Sequence, residues 1–302
     1  MRVVIAGGTG FIGRHLSAGL LANGDEVIVL SRSATADPVP VGVRVVLWDP
    51  AAEVGAWSSA LQGAGAVINL AGTSIGSRRW TRRRMDQILA SRLRGTRAIV
   101  KAMGRLPAAD RPPVLLNASG IDYYGDRGEE MVNEQSGAGG SFLAHVCQQW
   151  EAAALEAEPL GTRVVLMRTA LVFGREAAAF RLMVLPFRTF AGGPLGNGSQ
   201  WFTWIQIEDL VGLYRLALDR EAVRGPLNAV APDLRRQRQV AAEIGRALHR
   251  PSVVPAPAPL LRLALGKQAD LLLHGRRANS RAAELGYQFR LGDLPAALQG
   301  SL

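Results

Sequence analysis

Short apolar runs and amphipathic stretches alternate through the first half of the chain. VVIAG at 3–7, EVIVLSR at 26–32, RVVLW at 44–48, AVINLAG at 66–72, PVLLNAS at 113–119 and RVVLMRTALVFG at 163–174 are nearly continuous in apolar residues. That is the pattern of strands buried on both faces. Between them the apolar positions recur at helical spacing. In 11–24, Ile12, Leu16, Leu20 and Leu21 share a face and Gly24 ends the run. Residues 80–104 carry one stripe of Met85, Ile88, Leu89, Leu93, Thr96, Val100 and Met103. Residues 142–157 and 208–220 read as further helices, and 225–231 as one more strand. Strand–helix alternation with right-handed crossovers predicts an α/β fold, a doubly wound parallel sheet covered on both faces.

After Gly174 the rhythm breaks. Residues 186–200, PFRTFAGGPLGNGSQ, read as a loop over a site. From about 236 the pattern is helical, interrupted by PSVVPAPAP at 251–259. The expected organisation is a nucleotide-binding domain over 1–174, to which 201–231 returns. Residues 175–200 and 232–302 then form a smaller, mostly helical substrate lobe or lid.

Composition narrows the classes. With 302 residues, 48% of them hydrophobic, the chain can bury a large core. Its single cysteine, Cys147, excludes a disulfide framework, and its four histidines show no metal-ligand spacing. No apolar run approaches the roughly 20 residues that span a bilayer. The apolar start leads straight into a glycine pattern, as a buried strand does and a signal peptide does not. A soluble, cytoplasmic protein is expected. The net charge of +10 is nearly all arginine, since Lys101 and Lys267 are the only lysines. The charge is spread along the chain, so neither nucleic acid nor membrane is expected as a partner.

The chemistry begins at GGTGFIG, where Gly7, Gly10 and Gly13 are spaced G-x-x-G-x-x-G between the first strand and the first helix. That context makes a dinucleotide site and a Rossmann-like sheet. Gly7 gives the tight turn, Gly10 lets the backbone approach a pyrophosphate, and Gly13 lets helix and strand pack closely. The helix N-terminus offers free N–H groups and a positive dipole end. At the end of the second strand an NAD enzyme usually carries an acid. Here stand Ser31, Arg32 and Ser33, which suit a 2′-phosphate, so NADP(H) is the expected cofactor. ASGIDYYG at 118–125 places Ser119 ahead of Tyr123 and Tyr124, a grouping able to hold a carbonyl oxygen. SRRWTRRR at 77–84 reads either as the solvated start of a helix or as a pocket for an anionic group on a small-molecule substrate.

GGTGFIG, NLAG at 69–72, SRLRGT at 91–96, ASGIDYYG and WIQIEDL at 204–210 together resemble the extended, epimerase-like branch of the short-chain dehydrogenase/reductase superfamily. SIGSRRWT at 74–81, FLAHVCQQWE at 142–151, GGPLGNGSQWFTWI at 192–205 and the helical tail resemble an atypical NAD(P)-dependent epimerase family subgroup. Its members end in a domain of unknown function, and some were once labelled cell-division inhibitors. The resemblance implies pyrophosphate contacts from Gly7, Thr9, Gly10, Phe11, Ile12 and Gly13. It puts Ser31 and Arg32 at the adenine ribose and Asp49 near adenine. Leu70, Ala71 and Gly72 would line the route to the nicotinamide ribose, with Ser119 and Arg168 around the nicotinamide.

The chain departs from the superfamily at one point. Typical members pair a Y-x-x-x-K motif with a serine, and the lysine lowers the tyrosine pKa. Neither lysine lies four residues after any tyrosine; Tyr123 is followed at that spacing by Arg127. The expectation is an NADP(H)-dependent oxidoreductase acting on a small carbonyl or activated double bond. Ser119, Tyr124 and Tyr123 would be the catalytic side chains, with Asp122 and His145 as further proton donors to weigh. Two alternatives stand beside it: a non-catalytic NADP(H) sensor or scaffold, and a nucleotide-sugar-type epimerase or dehydratase. A monomer or homodimer fits either way.

Overall fold

The computed structural model describes residues 1–33, 39–52 and 55–302. In chain order the elements begin β1 (Arg2–Ala6), α1 (Phe11–Ala22), β2 (Glu26–Ser31), β3 (Arg44–Leu47), β4 (Ala66–Asn69), α2 (Arg82–Arg105) and β5 (Val114–Gly120). They continue with β6 (Met131–Val132), α3 (Phe142–Leu155), β7 (Arg163–Thr169), β8 (Leu171–Phe173), α4 (Ala178–Arg188), β9 (Trp201–Phe202), β10 (Trp204–Gln206) and α5 (Ile207–Asp219). The chain closes with β11 (Gly225–Ala229), β12 (Arg235–Arg236), α6 (Gln237–Leu248), α7 (Ala258–Leu265), α8 (Asp270–Leu273), β13 (Arg277–Ala278) and α9 (Leu294–Ser301).

Seven strands form one parallel sheet in the order β11-β7-β5-β4-β1-β2-β3. Alternate residues of each strand serve opposite faces. Val3, Ile5, Val27 and Val29 pack with Leu16 and Leu20 of α1 and Leu210 and Leu213 of α5. Val4, Ala6, Ile28 and Leu30 pack with Ala98, Ile99 and Met103 of α2 and Ala154 of α3. The chain runs outward from β1 to β3, then crosses back to β4 on the other side of β1. A crevice therefore opens beyond the C-terminal ends of β1 and β4, the place where such sheets bind ligands.

The second half differs from its sequence pattern. The run at 163–174 divides: β7 stays in the sheet, and after Ala170 β8 turns away to pair with β10. The stretch after Gly174 contains α4, a helix that ends just beyond Pro186. It has no side-chain N-cap, so local sequence does not announce it. Burial of Phe180, Val184 and Phe187 holds it in place. They join Phe173, Trp204, Val240, Ile244 and Leu298 in a separate core beneath the C-terminal helices. The rings of Phe173 and Trp204 stack there with centroids 5.1 Å apart.

Candidate cofactor and substrate site

The glycine turn is shaped by contacts that no side chain could share. Gly7 has φ +78°, and a Cβ there would lie 3.1 Å from the Leu70 carbonyl. A Cβ on Gly8 would lie 2.5 Å from Val29, and one on Gly13 would lie 2.4 Å from the Gly8 Cα. The turn thus docks α1 directly on the strands. Gly10 caps α1 without a side chain, and the first turn of α1 carries no acidic residue. The N–H groups of Phe11, Ile12 and Gly13 have no acceptor within the helix. Three orphan donors and a dipole end above a cradle that Cβ atoms would fill are a fit for a diphosphate. Thr9 closes the turn; its carbonyl accepts a hydrogen bond from Arg14 Nη1 at 3.0 Å.

At the far end of the crevice, Ser31 Oγ donates to the Ser33 carbonyl at 2.9 Å and accepts from the Ser33 N–H at 3.2 Å. This small turn presents Arg32 outward, exposed and without an ion pair among the described residues. Trp48 N–H donates to the Ser31 carbonyl at 2.8 Å, which brings Asp49 alongside. The Asp49 carboxylate accepts from Ala51 N–H at 2.8 Å, so it also holds its own turn. After β4, Leu70 N–H still bonds Ala6 O at 2.9 Å, and Ala71 N–H donates to Asn69 Oδ1 at 3.1 Å. Asn69 is fully buried and donates to Thr96 and Asn117, which fixes the Leu70–Gly72 rim beside the glycine turn.

Between β5, β7 and α3 lies a buried polar network. Ser119 Oγ donates to Glu151 Oε1 at 2.6 Å. Arg168 grips the same carboxylate with two bonds, Nε to Oε1 at 2.9 Å and Nη2 to Oε2 at 2.8 Å. Arg168 Nη1 also donates to the Tyr124 hydroxyl at 2.9 Å, which itself donates to Asn228 Oδ1 at 2.8 Å. The Arg168 guanidinium carbon sits 3.4 Å from the centre of the Tyr123 ring. Burial disfavours the Arg168 charge, but the bonds and charge of Glu151 outweigh it and push its pKa up. Burial raises the Tyr124 pKa, against the pull of Arg168.

The two tyrosines therefore differ. Tyr124 is 0% exposed and its hydroxyl both accepts and donates. A substrate oxygen would reach it only by displacing Asn228 or Arg168. Tyr123 is half-buried, and its hydroxyl makes no hydrogen bond among the described residues. Asp122 is paired with Arg276 at 2.9 Å. His145 is exposed, whereas Leu143, Ala144, Val146 and Cys147 around it on α3 are buried, so it lies outside the network.

Where α3 faces the network it contributes no lysine; it presents Cys147 and Glu151. Burial first, then the charges of Asp122 and Glu151, push the Cys147 thiol up to about 12. Few thiolates form at neutral pH. Cys147 is expected to stay unmodified by a disulfide reagent at pH 8 until denaturant is added, when one thiol per chain reacts. Rapid labelling of the native chain would contradict this burial.

The arginine-rich run after β4 acts as a tie. Trp80 Nε1 donates to the Ile75 carbonyl at 2.8 Å and its ring meets Phe142 edge-on at 5.3 Å. Arg79 Nη2 reaches the Leu263 carbonyl at 3.3 Å, joining this loop to the C-terminal helices. Glu151 and Asn228 carry no motif in the sequence. The available signal was one carboxylate inside the apolar run FLAHVCQQWEAAAL, at the i+4 position from Cys147 on the buried face of α3. Among the described residues no group of His, Cys, Asp and Glu could hold a metal ion, and no helix is long and apolar enough to cross a membrane.

Over residues 3–229 the chain matches the NAD dependent epimerase/dehydratase family, and over 256–300 a domain of unknown function, DUF1731. It is 38% identical over 300 residues to the chloroplastic SDR39U1 homolog of Arabidopsis thaliana, covering 99% of this chain and 86% of the relative. It is 35% identical to the epimerase family protein YfhF of Bacillus subtilis, covering 99% of this chain and 97% of the relative. The crystal structure of human epimerase family protein SDR39U1 with NADPH superposes with a TM-score of 0.88 at 36% identity, covering 100% and 99% of the two chains. Continuous similarity from the glycine turn to the last helix, in sequence and in fold, places the chain in the NAD dependent epimerase/dehydratase family, in its SDR39U1-like branch with a C-terminal DUF1731.

Proposed function

We propose that this chain binds NADP(H) and reduces a small substrate bearing a carbonyl or activated double bond. When bound, the cofactor supplies a hydride. The glycine turn and the α1 N-terminus hold its diphosphate, Arg32 meets the 2′-phosphate, and the Leu70–Gly72 rim lines the path to the nicotinamide. The Arg168–Glu151 pair keeps the floor of the site rigid and dry. Tyr123, clamped by the guanidinium of Arg168, donates a hydrogen bond to the substrate oxygen and passes it a proton. The observation that carries this reading is the free Tyr123 hydroxyl, standing at the edge of a network in which the Ser119 and Tyr124 hydroxyls are engaged.

The test follows NADPH consumption across a panel of carbonyls and enones. Tyr123→Phe is expected to lower kcat by about a hundredfold or more with unchanged NADPH affinity. Full activity of Tyr123→Phe would remove that residue from the mechanism. Arg32→Ala is expected to weaken NADPH binding about tenfold or more and to leave NADH binding unchanged. Equal losses for both coenzymes would overturn the assignment of the 2′-phosphate.

One observation favours a second reading, NADP(H) binding without turnover. The groups that α3 brings to the site are an inert thiol and a carboxylate already gripped by Arg168. Tight NADPH binding with no consumption on the whole panel would select it. Epimerisation or dehydration by transient oxidation needs a base, and Tyr123, unengaged among the described residues, is the group that would serve as one. Asp122, Glu134 and Glu151 are each engaged, by Arg276, by the N–H groups of Asn228 and Arg281, and by Arg168.

A further inference from the structure

A groove of about 570 Å³ lies between α4 and the end of α9, away from the polar network described above. Arg175, Arg181 and Arg188 line it, and Arg181 and Arg188 also border an adjoining groove beside Leu182 and Leu185, which are 65% and 53% exposed. The three arginines are exposed, and none of their guanidinium groups makes a hydrogen bond or ion pair among the described residues. Glu176 also lines the groove, but its carboxylate is taken by Arg14 at 2.8 Å. The fourth feature is Ser301. It is 1% exposed, lines the groove, and its hydroxyl has no hydrogen-bond partner among the described residues.

A buried hydroxyl without a partner costs free energy and asks for a ligand group to satisfy it. Unpaired guanidinium groups beside two exposed leucines ask for an anion on an apolar body. The volume lies in the range of small-molecule sites. A bare inorganic anion would leave Leu182 and Leu185 uncovered, and a neutral apolar molecule would leave the arginines and Ser301 unmet.

We propose that the α4–α9 groove is a binding site for a small anionic amphiphile, with a carboxylate or phosphate head held by Arg181, Arg188 and Ser301 and an alkyl body on Leu182 and Leu185. The proposal does not depend on the redox reading. The same chemistry can arrive as a free acid or as a lipid headgroup, so the experiment has two arms. In the first, octanoate is titrated into the full chain saturated with NADPH, with 1-octanol and inorganic phosphate as probes of each half of the ligand. In the second, the chain is sedimented with phosphatidylcholine vesicles with and without phosphatidylglycerol.

Octanoate is expected to saturate one site per chain, with octanol and phosphate each about tenfold weaker or worse. Arg181→Ala/Arg188→Ala is expected to weaken octanoate about tenfold to a hundredfold, and Ser301→Ala by several-fold. The arginines are exposed, so their variant should keep the wild-type melting temperature and NADPH affinity; Ser301→Ala serves as the independent probe of the buried wall. Arginine-dependent capture on the anionic vesicles would name a lipid headgroup as the source, and octanoate binding without capture a free acid. Octanoate binding that is the same in wild type and both variants would overturn the proposal, as would no saturable binding in either arm.

Discussion

Glu151→Ala is expected to destabilise the chain by about 3–5 kcal/mol, because it leaves the Arg168 guanidinium buried without its counter-charge. For a chain of this size that lowers the melting temperature by about 5–10 °C. The geometry makes the effect large. The side chains of Arg168 and Glu151 are 4% and 6% exposed, and the bidentate grip leaves neither group another partner of opposite charge. Ser119 loses its acceptor in the same variant. The double variant Glu151→Leu/Arg168→Met removes both charges, and it is expected to recover more than half of the loss. Tyr124 would still donate to Asn228 in it. A Glu151→Ala chain within about 1 kcal/mol of wild type would show that the pair is hydrated in solution, and the dry floor of the site would go with it.

The second large effect belongs to Gly13→Ala. The added methyl would meet Gly8 Cα at 2.4 Å and Gly8 C and O at 2.6 Å. These are backbone atoms, so relief requires α1 to lift away from the turn. NADPH affinity is expected to fall by about a hundredfold or more, because the orphan N–H groups leave their aim at the diphosphate. Gly19→Ala on the same helix is the control. Its methyl would meet only the tip of Val211 at 2.9 Å, which can rotate. NADPH affinity within about threefold of wild type is expected there. If Gly13→Ala binds NADPH as well as Gly19→Ala does, the cofactor does not sit on this turn.

The part of the fold that the sequence announces is the part with a strong local period. Strands β1, β2, β4 and β5 are buried on both faces and read as apolar runs, and α1 and α2 carry clear stripes. The glycine turn is legible because Gly7, Gly8 and Gly13 answer a local steric demand. Three elements escaped for physical reasons. Helix α4 lacks a capping side chain and contains Pro186, so only its tertiary burial stabilises it. Strands β9 and β10 are two and three residues long and exist because β12 and β8 pair with them.

The candidate site was legible at the glycine turn and opaque in its buried polar network. Ser119, Tyr123, Tyr124 and Arg168 stand close together in the fold, but their partners come from far away. Glu151 lies 32 residues beyond Ser119, and Asn228 lies 104 beyond Tyr124. Nothing local distinguishes Tyr124 from Tyr123. Which hydroxyl is spent depends on Asn228, placed by the last strand of the sheet.

The most direct measurement is a calorimetric titration of the purified chain with NADPH and with NADH. The expected result is one NADPH per chain, bound about tenfold or more tighter than NADH. Absence of binding heat from both coenzymes, at temperatures chosen so that the binding enthalpy does not vanish, would contradict the central claim that the uncapped N-terminus of α1 holds a dinucleotide.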